Sequence, residues 1–292
     1  MTSFEQKNDE EAFVGKSFGP RQFSISSADV RDYFEGLKVD DSWYRRGSPY
    51  EGPIVPSMVM IEAEFIQGAG LRNNFGNLWM RQQLDFHGPL PQDTEMVVKS
   101  KVVDIYDWRN RTVVLQEFEI FNKEGKLVGA TRHHQSYLLG QTSGRVVLRK
   151  PSDKEGVRKF NVPEGEEIDS VSSVIDLEMC GIFFHGNKNY HTDKQASEEL
   201  GFEEVVVGGK MTISYIGDML DRNFGDKWYE GGSLDVKFTN ITWPGDEVTA
   251  RGVITDNLAP DGTGRSEVNV WMEKEDGTVT IVGNAYIPHG SD

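Results

Sequence analysis

The stretch VVVGGKMTISYIGDMLDRNFG, residues 205–225, decides the fold. A turn carrying Gly208 and Gly209 leads into an apolar segment from Met211 whose residue spacing is typical of a helix. Three runs of alternating apolar and polar residues follow it, with Gly, Asp and Asn turns between them. This order predicts an α+β unit in which one long helix packs against an antiparallel sheet.

A second copy of this order lies earlier in the chain. PIVPSMVM (53–60) matches VVVGGKMT (205–212) at an offset of 152 residues, and NFGNLW at 74–79 recurs as NFGDKW at 223–228. The first copy predicts a long helix of its own from Met58. Because the matches keep the same order along the chain, duplication explains them better than chance.

The duplication sets the predicted domain boundaries. We predict one unit at 12–140 and a second at 168–290. The linker between them, 141–167, concentrates turn residues and charge. In each unit a shorter helical segment precedes the long helix: SSADVRDYFEGL begins at Ser26, and HTDKQASEELGF begins at His191.

Composition excludes several classes of protein. The chain has 292 residues and a formal net charge of -16, which argues against nucleic-acid binding because that requires clustered basic residues. Cys180 is the only cysteine, so neither a disulfide nor a cysteine metal site is expected within one chain. No stretch approaches the roughly 18 apolar residues of a membrane span. We therefore expect a cytoplasmic protein that binds neither nucleic acid nor a membrane.

Several segments together resemble the MaoC-like hot-dog hydratase family. In the second unit these are NYHTDKQASEELGF (189–202), VVVGGKM (205–211) and WPGDEVTARG (243–252). The first unit resembles the N-terminal domain of that family through FSISSADVRDYF (23–34) and EGPIVPSM (51–58). The resemblance implies a tandem, or double, hot-dog fold.

The resemblance also implies a function. Paired hot-dog units of this family bind an acyl-CoA or other acyl thioester at the seam between them. The usual reaction is reversible syn addition of water to a 2-enoyl thioester, which gives the (R)-3-hydroxyacyl product. It implies no metal or redox cofactor, since coenzyme A enters only as part of the substrate. A homodimer is compatible with the sequence.

His191 is the best catalytic candidate. The family motif places an Asp five positions before its catalytic His, with an Asn and a Pro between them. His191 matches that His, but Gly186 stands at the position of the Asp, and Lys188 and Asn189 stand at those of the Asn and Pro. An imidazole titrates near neutral pH and can exchange protons in either direction. The acidic partner expected from the family is therefore missing.

Three nearby residues compete for the missing partner's role. Asn187 ranks first, because a slip of one residue in this glycine-containing segment would bring its amide to the position of the Asp. His185 and Asp193 are the other candidates. Asp193 stands at a helix start, however, where it could instead accept hydrogen bonds from backbone N–H groups.

The turn at Gly208 and Gly209 is the predicted substrate-binding element. Glycine permits a close backbone approach, and a helix N-terminus attracts negative charge, so this turn suits a polarised thioester carbonyl. Lys210 and the pair Arg45–Arg46 could meet the phosphates of coenzyme A, although ordinary surface charge explains them as well.

The first unit is expected to lack chemistry. At the offset of 152 residues, His191 corresponds to Val39, and no histidine lies nearby. Trp43 and Tyr44 are predicted to line the substrate site, with a place in the core as the alternative. His133 and His134 lie in a predicted strand and are assigned to its structure.

Two alternatives to hydration stay open at this point. A hot-dog thioesterase would use a carboxylate on or near the helix to activate water. A divergent protein that binds or dehydrates a small molecule other than an acyl-CoA would explain the glycine at position 186.

Overall fold

The computed structural model describes residues 11–47, 54–148 and 160–289. The strands are β1 (Ser17–Phe23), β2 (Leu78–Phe86), β3 (Met96–Trp108), β4 (Arg111–Asn122), β5 (Leu127–Tyr137), β6 (Glu166–Glu167), β7 (Val171–Val174), β8 (Ser233–Phe238), β9 (Glu247–Leu258), β10 (Ser266–Lys274) and β11 (Val279–Ile287). They form an antiparallel sheet that runs through both units, with β1, β3, β4, β5 and β2 from the first unit followed by β8, β11, β10 and β9 from the second. The two short strands β6 and β7 pair with β9 at the far edge.

The pairing of β2 with β8 joins the two units. These strands are counterparts at the offset of 152 residues, and they run antiparallel with Leu84 opposite Leu234. The Arg81 guanidinium bonds both oxygens of the Asp235 carboxylate across this pairing. The two half-sheets therefore form one surface, with a seam at which equivalent strands meet.

The predicted long helix of the second unit is confirmed as α5, which spans Gly209–Phe224. It is buried from Lys210 to Asp221, so it is covered on all sides by the sheet and by first-unit residues. Met58 of the first unit contacts α5 at Gly217, where a Cβ would lie 2.2 Å from the Met58 side chain. None of the described helices has the length and apolar character required to cross a membrane.

The prediction of a long helix in the first unit is wrong. A 3-10 turn (Ser57–Ile61) continues into a helix of only five residues, α2 (Glu62–Ile66). Just after α2, the Gln116 side chain forms the hydrogen bonds that a longer helix would have made within its own backbone. Its amide nitrogen donates to Gln67 O at 2.8 Å, and its oxygen accepts from Ala69 N–H at 2.7 Å. A glutamine from β4 thus ends the helix one turn before the sequence pattern does.

The shorter helices flank this central pair. In the first unit, the Ser26 side chain and Asp29 form a capping box at the start of the predicted N-terminal helix. Glu166–Glu167, at the end of the predicted linker, pair with β9 and so belong to the second sheet, while linker residues 149–159 lie outside the described residues. The remaining helices are α1 (Ser27–Leu37), α3 (Leu177–Phe183), α4 (Lys194–Glu199) and α6 (Asp226–Gly231).

A buried acidic cluster joins the C-terminal half of α5 to the first unit. The Tyr44 hydroxyl lies 2.9 Å from Asp218 Oδ1 and 2.7 Å from Asp221 Oδ2. The Ser57 backbone N–H donates to Asp221 Oδ2 at 3.1 Å. One hydroxyl hydrogen cannot serve two carboxylates, so a proton on Asp221 completes the set. Burial raises the pKa of Asp221 to about 7, which places that proton on the carboxyl at mildly acidic pH.

The fold should therefore lose stability as pH rises. The pKa of Asp221 lies above its ordinary value in the folded state, so folding takes up a proton, and that stabilisation is lost as pH rises through about 7. We expect the free energy of unfolding to fall by up to ~3 kcal/mol between pH 5 and 9, because each pH unit below a folded pKa of about 7 contributes ~1.4 kcal/mol. Asp221→Asn should flatten this slope, measured by urea unfolding at several pH values. The exposed Asp256→Asn serves as control and should keep the wild-type slope. An unchanged slope in Asp221→Asn would contradict this assignment.

Candidate active site at the seam

A cavity of about 340 Å³ lies at the seam between the two units. This volume falls within the range of small-molecule sites, roughly 300–1,000 Å³. Neither unit forms the cavity alone, because both supply its walls. The first unit contributes Glu64, Trp79 and His133, and the second contributes Phe184, His191 and Gly209.

His191 stands at the cavity wall just before α4. Asn189 Oδ1 accepts a hydrogen bond from the His191 backbone N–H at 2.8 Å. His191 Nδ1 lies 2.7 Å from Val206 O, a contact in which the ring nitrogen must donate. The ring stacks on Phe184, with centroids 4.9 Å apart, and packs against Tyr190. Because Nδ1 carries the hydrogen, a neutral His191 presents Nε2 to the cavity as an acceptor.

The protonation state of His191 suits a base. Burial lowers its pKa to about 4, against a smaller opposing effect of the bond to Val206, and the nearby Lys210 ammonium lowers it further. The imidazole is therefore uncharged at neutral pH, and Nε2 is free to accept a proton.

The N-terminus of α5 forms the adjoining wall. No side chain caps this end, where Gly208 is the N-cap and Gly209 the first helical residue. A Cβ on Gly209 would lie 2.6 Å from the Trp79 ring, and one on Gly208 would lie 2.3 Å from the Phe184 ring. Only glycine allows this approach. The first backbone N–H groups of the helix have no partners within it, so they are available to an acceptor at this end.

A methyl group at position 209 should disturb this wall. Gly209→Ala would push the Trp79 ring, which His133 and Phe238 hold by stacking, and we expect a cost of ~1–3 kcal/mol in the free energy of unfolding. The matched control is Gly181→Ala in α3, where a Cβ meets nothing within 4 Å, and this change should be neutral or stabilise by roughly 0.5 kcal/mol. Urea unfolding measures both. Equal stabilities of the two variants would show that the approach of Trp79 to α5 is not tight.

Comparison with known proteins identifies the part of the chain that carries this site. Residues 184–275 match the family model of the MaoC like domain. The second unit contains a MaoC-like domain. Its matched range includes His191, the turn at Gly208 and Gly209, and the whole of α5.

Solved structures show the fold of the whole chain. A MaoC-like dehydratase aligns with a TM-score of 0.71 at 14% identity, over 95% of this chain and 98% of its own. A Mycobacterium tuberculosis protein described as a double hot-dog fold aligns with a TM-score of 0.59 at 12% identity, over 94% and 96%. A putative oleoyl thioesterase from Lactobacillus plantarum aligns with a TM-score of 0.51 at 12% identity, over 95% and 98%. These structures confirm the predicted double hot-dog fold. The search of curated proteins found no match to the chain.

Two of the predicted partners of His191 lie outside the cavity. Asp193 Oδ1 accepts from the Ala196 backbone N–H at 2.9 Å, which caps α4, and lies 3.3 Å from Lys188 Nζ. Asn187 is exposed, and its backbone oxygen accepts from the Thr192 hydroxyl at 2.7 Å. Neither residue lines the cavity. Local structure therefore accounts for both.

His185, the third predicted partner, belongs to a charged network beside the cavity. Its Nδ1 lies 2.9 Å from Asp32 Oδ2, and its Nε2 lies 3.9 Å from Glu62 Oε1. The contact with Glu62 raises the pKa of His185 despite its partial burial. Burial by itself would raise the pKa of Glu62, but Lys210 and His185 hold it at about 2. His185 is thus committed to two carboxylates and does not line the cavity.

Lys210 lines the cavity, but it is not an exposed surface charge. It is 4% exposed, and its ammonium pairs with Glu62 and lies 4.8 Å from the centre of the Phe183 ring. Arg45 pairs with Asp41 at 2.7 Å, and the side chain of Arg46 lies outside the described residues. The cation at Lys210 therefore neutralises an internal carboxylate.

Trp43 and Tyr44 do not line the cavity either. Tyr44 is 1% exposed and bonds the acidic cluster at the C-terminal half of α5, and Trp43 packs on it edge to face at 4.9 Å. At the offset of 152 residues, Ser57 corresponds to Gly209. The Ser57 N–H, whose counterpart faces the cavity, is occupied by the carboxyl of Asp221. In the part of the chain that the structure describes, these side chains fill the position equivalent to the start of α5 at the cavity.

The first unit places a polar pair at the cavity wall, Glu64 and His133, that was not predicted from the sequence as part of the site. Glu64 is 4% exposed; its Oε2 lies 2.6 Å from His133 Nδ1, and its Oε1 accepts from Gln82 Nε2 at 2.6 Å. His133 Nε2 lies 2.9 Å from Gln135 Oε1. The Trp79 ring stacks on the imidazole at 4.6 Å. An acidic residue inside an apolar helical pattern was the one available signal.

His134, the neighbour of His133, points to the opposite face of β5. Its Nδ1 lies 3.0 Å from the Tyr106 hydroxyl, and burial lowers its pKa to about 4. Alternation along a strand separates adjacent side chains in this way. The sequence predicts that the two histidine side chains lie on opposite faces of the strand, but it does not predict which of them faces the cavity.

Proposed function

We propose that the cavity binds a 2-enoyl thioester, with acyl-CoA as the expected class, and catalyses its reversible hydration to the (R)-3-hydroxyacyl thioester. The observation that carries this proposal is His191, whose neutral Nε2 faces the cavity beside the N-terminus of α5. A MaoC-like domain that spans both elements supports the reaction class.

The two elements would divide the chemistry between them. Addition of water to the β carbon places negative charge on the thioester oxygen, and backbone N–H groups at the first turn of α5 stabilise such charge. His191 Nε2 takes a proton from the attacking water, which raises the nucleophilicity of its oxygen. Gly209 admits the thioester because it has no side chain to block the helix end. The step needs neither a metal nor a redox cofactor.

A direct assay tests this function. Purified protein is incubated with crotonyl-CoA and with longer and branched enoyl-CoAs, and loss of enoyl absorbance is followed together with release of free thiol. Enoyl loss without thiol release is expected, and a stereospecific 3-hydroxyacyl-CoA dehydrogenase assigns the product configuration. No enoyl loss across the panel would overturn the proposal.

His191→Gln should lower kcat by about 10²–10⁴, the contribution of a positioned acid–base group. The exposed His87→Gln is the control and should keep wild-type rates. Because the pKa of His191 is about 4 and the base form is required, kcat/KM in the hydration direction should fall only as pH drops towards 4. A variant His191→Gln with full turnover, or an acidic limb near pH 6.5, would contradict the assignment.

Hydrolysis of the thioester is the second candidate. One observation favours it: Glu64 lies on α2 and is a buried carboxylate at the cavity wall, as a hot-dog thioesterase would require. Each oxygen of Glu64 already has one partner, Gln82 or His133, and these contacts hold the carboxylate in place. Thiol release in the same assay decides between the two reactions.

A further inference from the structure

Water addition needs two proton transfers, and the second unit supplies one group for them. Nε2 of His191 takes a proton from water, and another group must give a proton to the α carbon. Where the family has an acid, this chain has Gly186, which is exposed and has a φ of 70°, a conformation that disfavours a side chain. The three neighbours considered from the sequence have other partners or lie outside the cavity. The second group must therefore come from elsewhere.

The described cavity wall offers few alternatives. Glu64 is the only Asp or Glu that lines it, and His133 is the only histidine besides His191. Lys210 also lines it, but its ammonium is paired with Glu62. Burial raises the pKa of Tyr137 to about 12 and that of Tyr190 still further, so neither phenol exchanges protons near neutral pH.

We propose that His133, supplied by the first unit and oriented by Glu64, is the second proton-transfer group of the reaction. Glu64 Oε2 lies 2.6 Å from His133 Nδ1, an arrangement that fixes the orientation of the ring. Gln82 Nε2 holds the other carboxylate oxygen at 2.6 Å, so Glu64 cannot turn away. This inference rests on the hydration proposed above.

The Nε2 atom of His133 is the one that would deliver the proton. It lies 2.9 Å from Gln135 Oε1, so its hydrogen is held by a neutral amide on the cavity wall when no substrate is bound. Gln135 and His133 share a face of β5 because they are two residues apart on a strand. Stacking on Trp79, which also contacts Gly209, links the imidazole to the start of α5. Glu64 itself does not react and is a positioning residue.

The proposed step balances as follows. The water oxygen bonds to the β carbon as one of its protons passes to His191 Nε2. The C=C π pair, carried through the enolate, forms a new C–H bond at the α carbon with the proton of His133 Nε2. One proton has then entered from His133 and one has left to His191, and transfer through solvent from His191 to His133 restores both. Dehydration runs the same steps backwards.

Kinetics of two variants test this role, with whichever enoyl-CoA the wild-type protein hydrates fastest. His133→Gln should lower kcat by about 10²–10³ while the Kd for butyryl-CoA, a saturated analogue, stays within a few-fold of wild type. Glu64→Gln keeps the size of the side chain but removes the carboxylate that orients His133, so it should lower kcat by about tenfold or more while the Kd for butyryl-CoA stays within a few-fold of wild type.

The matched control is His134→Gln, which alters the adjacent residue on the opposite face of β5 and should keep the wild-type rate. A merely structural His133 or Glu64 would change the free energy of unfolding or the Kd for butyryl-CoA rather than kcat alone. Wild-type kcat in His133→Gln or in Glu64→Gln would overturn this inference alone. Absence of turnover by the wild-type protein would overturn the proposed function and this inference with it.

Discussion

The antiparallel pairing of β2 with β8 is the constraint on which the rest of the structure depends. These strands are equivalent members of the two units, so pairing them places the units in a roughly two-fold arrangement across one continuous sheet. Such an arrangement creates two equivalent places where the start of one unit's helical segment faces the other unit. Residues of both units form each of these positions. The side chains at each position determine whether a cavity exists there.

Small residues keep one of these places open, and larger polar residues fill the other. Ala69 lines the open cavity, and its counterpart at the offset of 152 residues is Asp221. Asp221 instead reaches the N–H of Ser57, the residue equivalent to Gly209, and Tyr44 covers it. A buried carboxyl thus stands where a ligand oxygen would bind at the equivalent end. Among the described residues, the difference between the two places therefore follows from these side chains rather than from a change in backbone topology.

Pattern reasoning succeeded where a residue's environment is set by its near neighbours in sequence. The order of strands, α5 and the position of His191 before a capped helix follow from periodicity and local turn residues. It failed where a distant residue intervenes. Gln116 ends the first-unit helix from another strand, and Glu62 withdraws Lys210 from solvent across the two units. Composition within a segment carries no trace of such contacts, which arise only when the sheet closes.

The same limit applies to the partner proposed for His191, which lies in the first unit rather than beside His191 in the sequence. Motif reasoning compares positions along one segment, and by that measure Gly186 leaves the site incomplete. At the seam, residues that are distant in sequence lie close together in space. A cavity formed by two units can therefore take a proton-transfer group from either unit. Glu64 and His133 come from a unit whose own equivalent site is filled, so that unit is free to keep ionisable residues for the shared cavity. Under the proposed mechanism, duplication would allow an acid to be lost from one half of the chain while a residue of the other half takes its role.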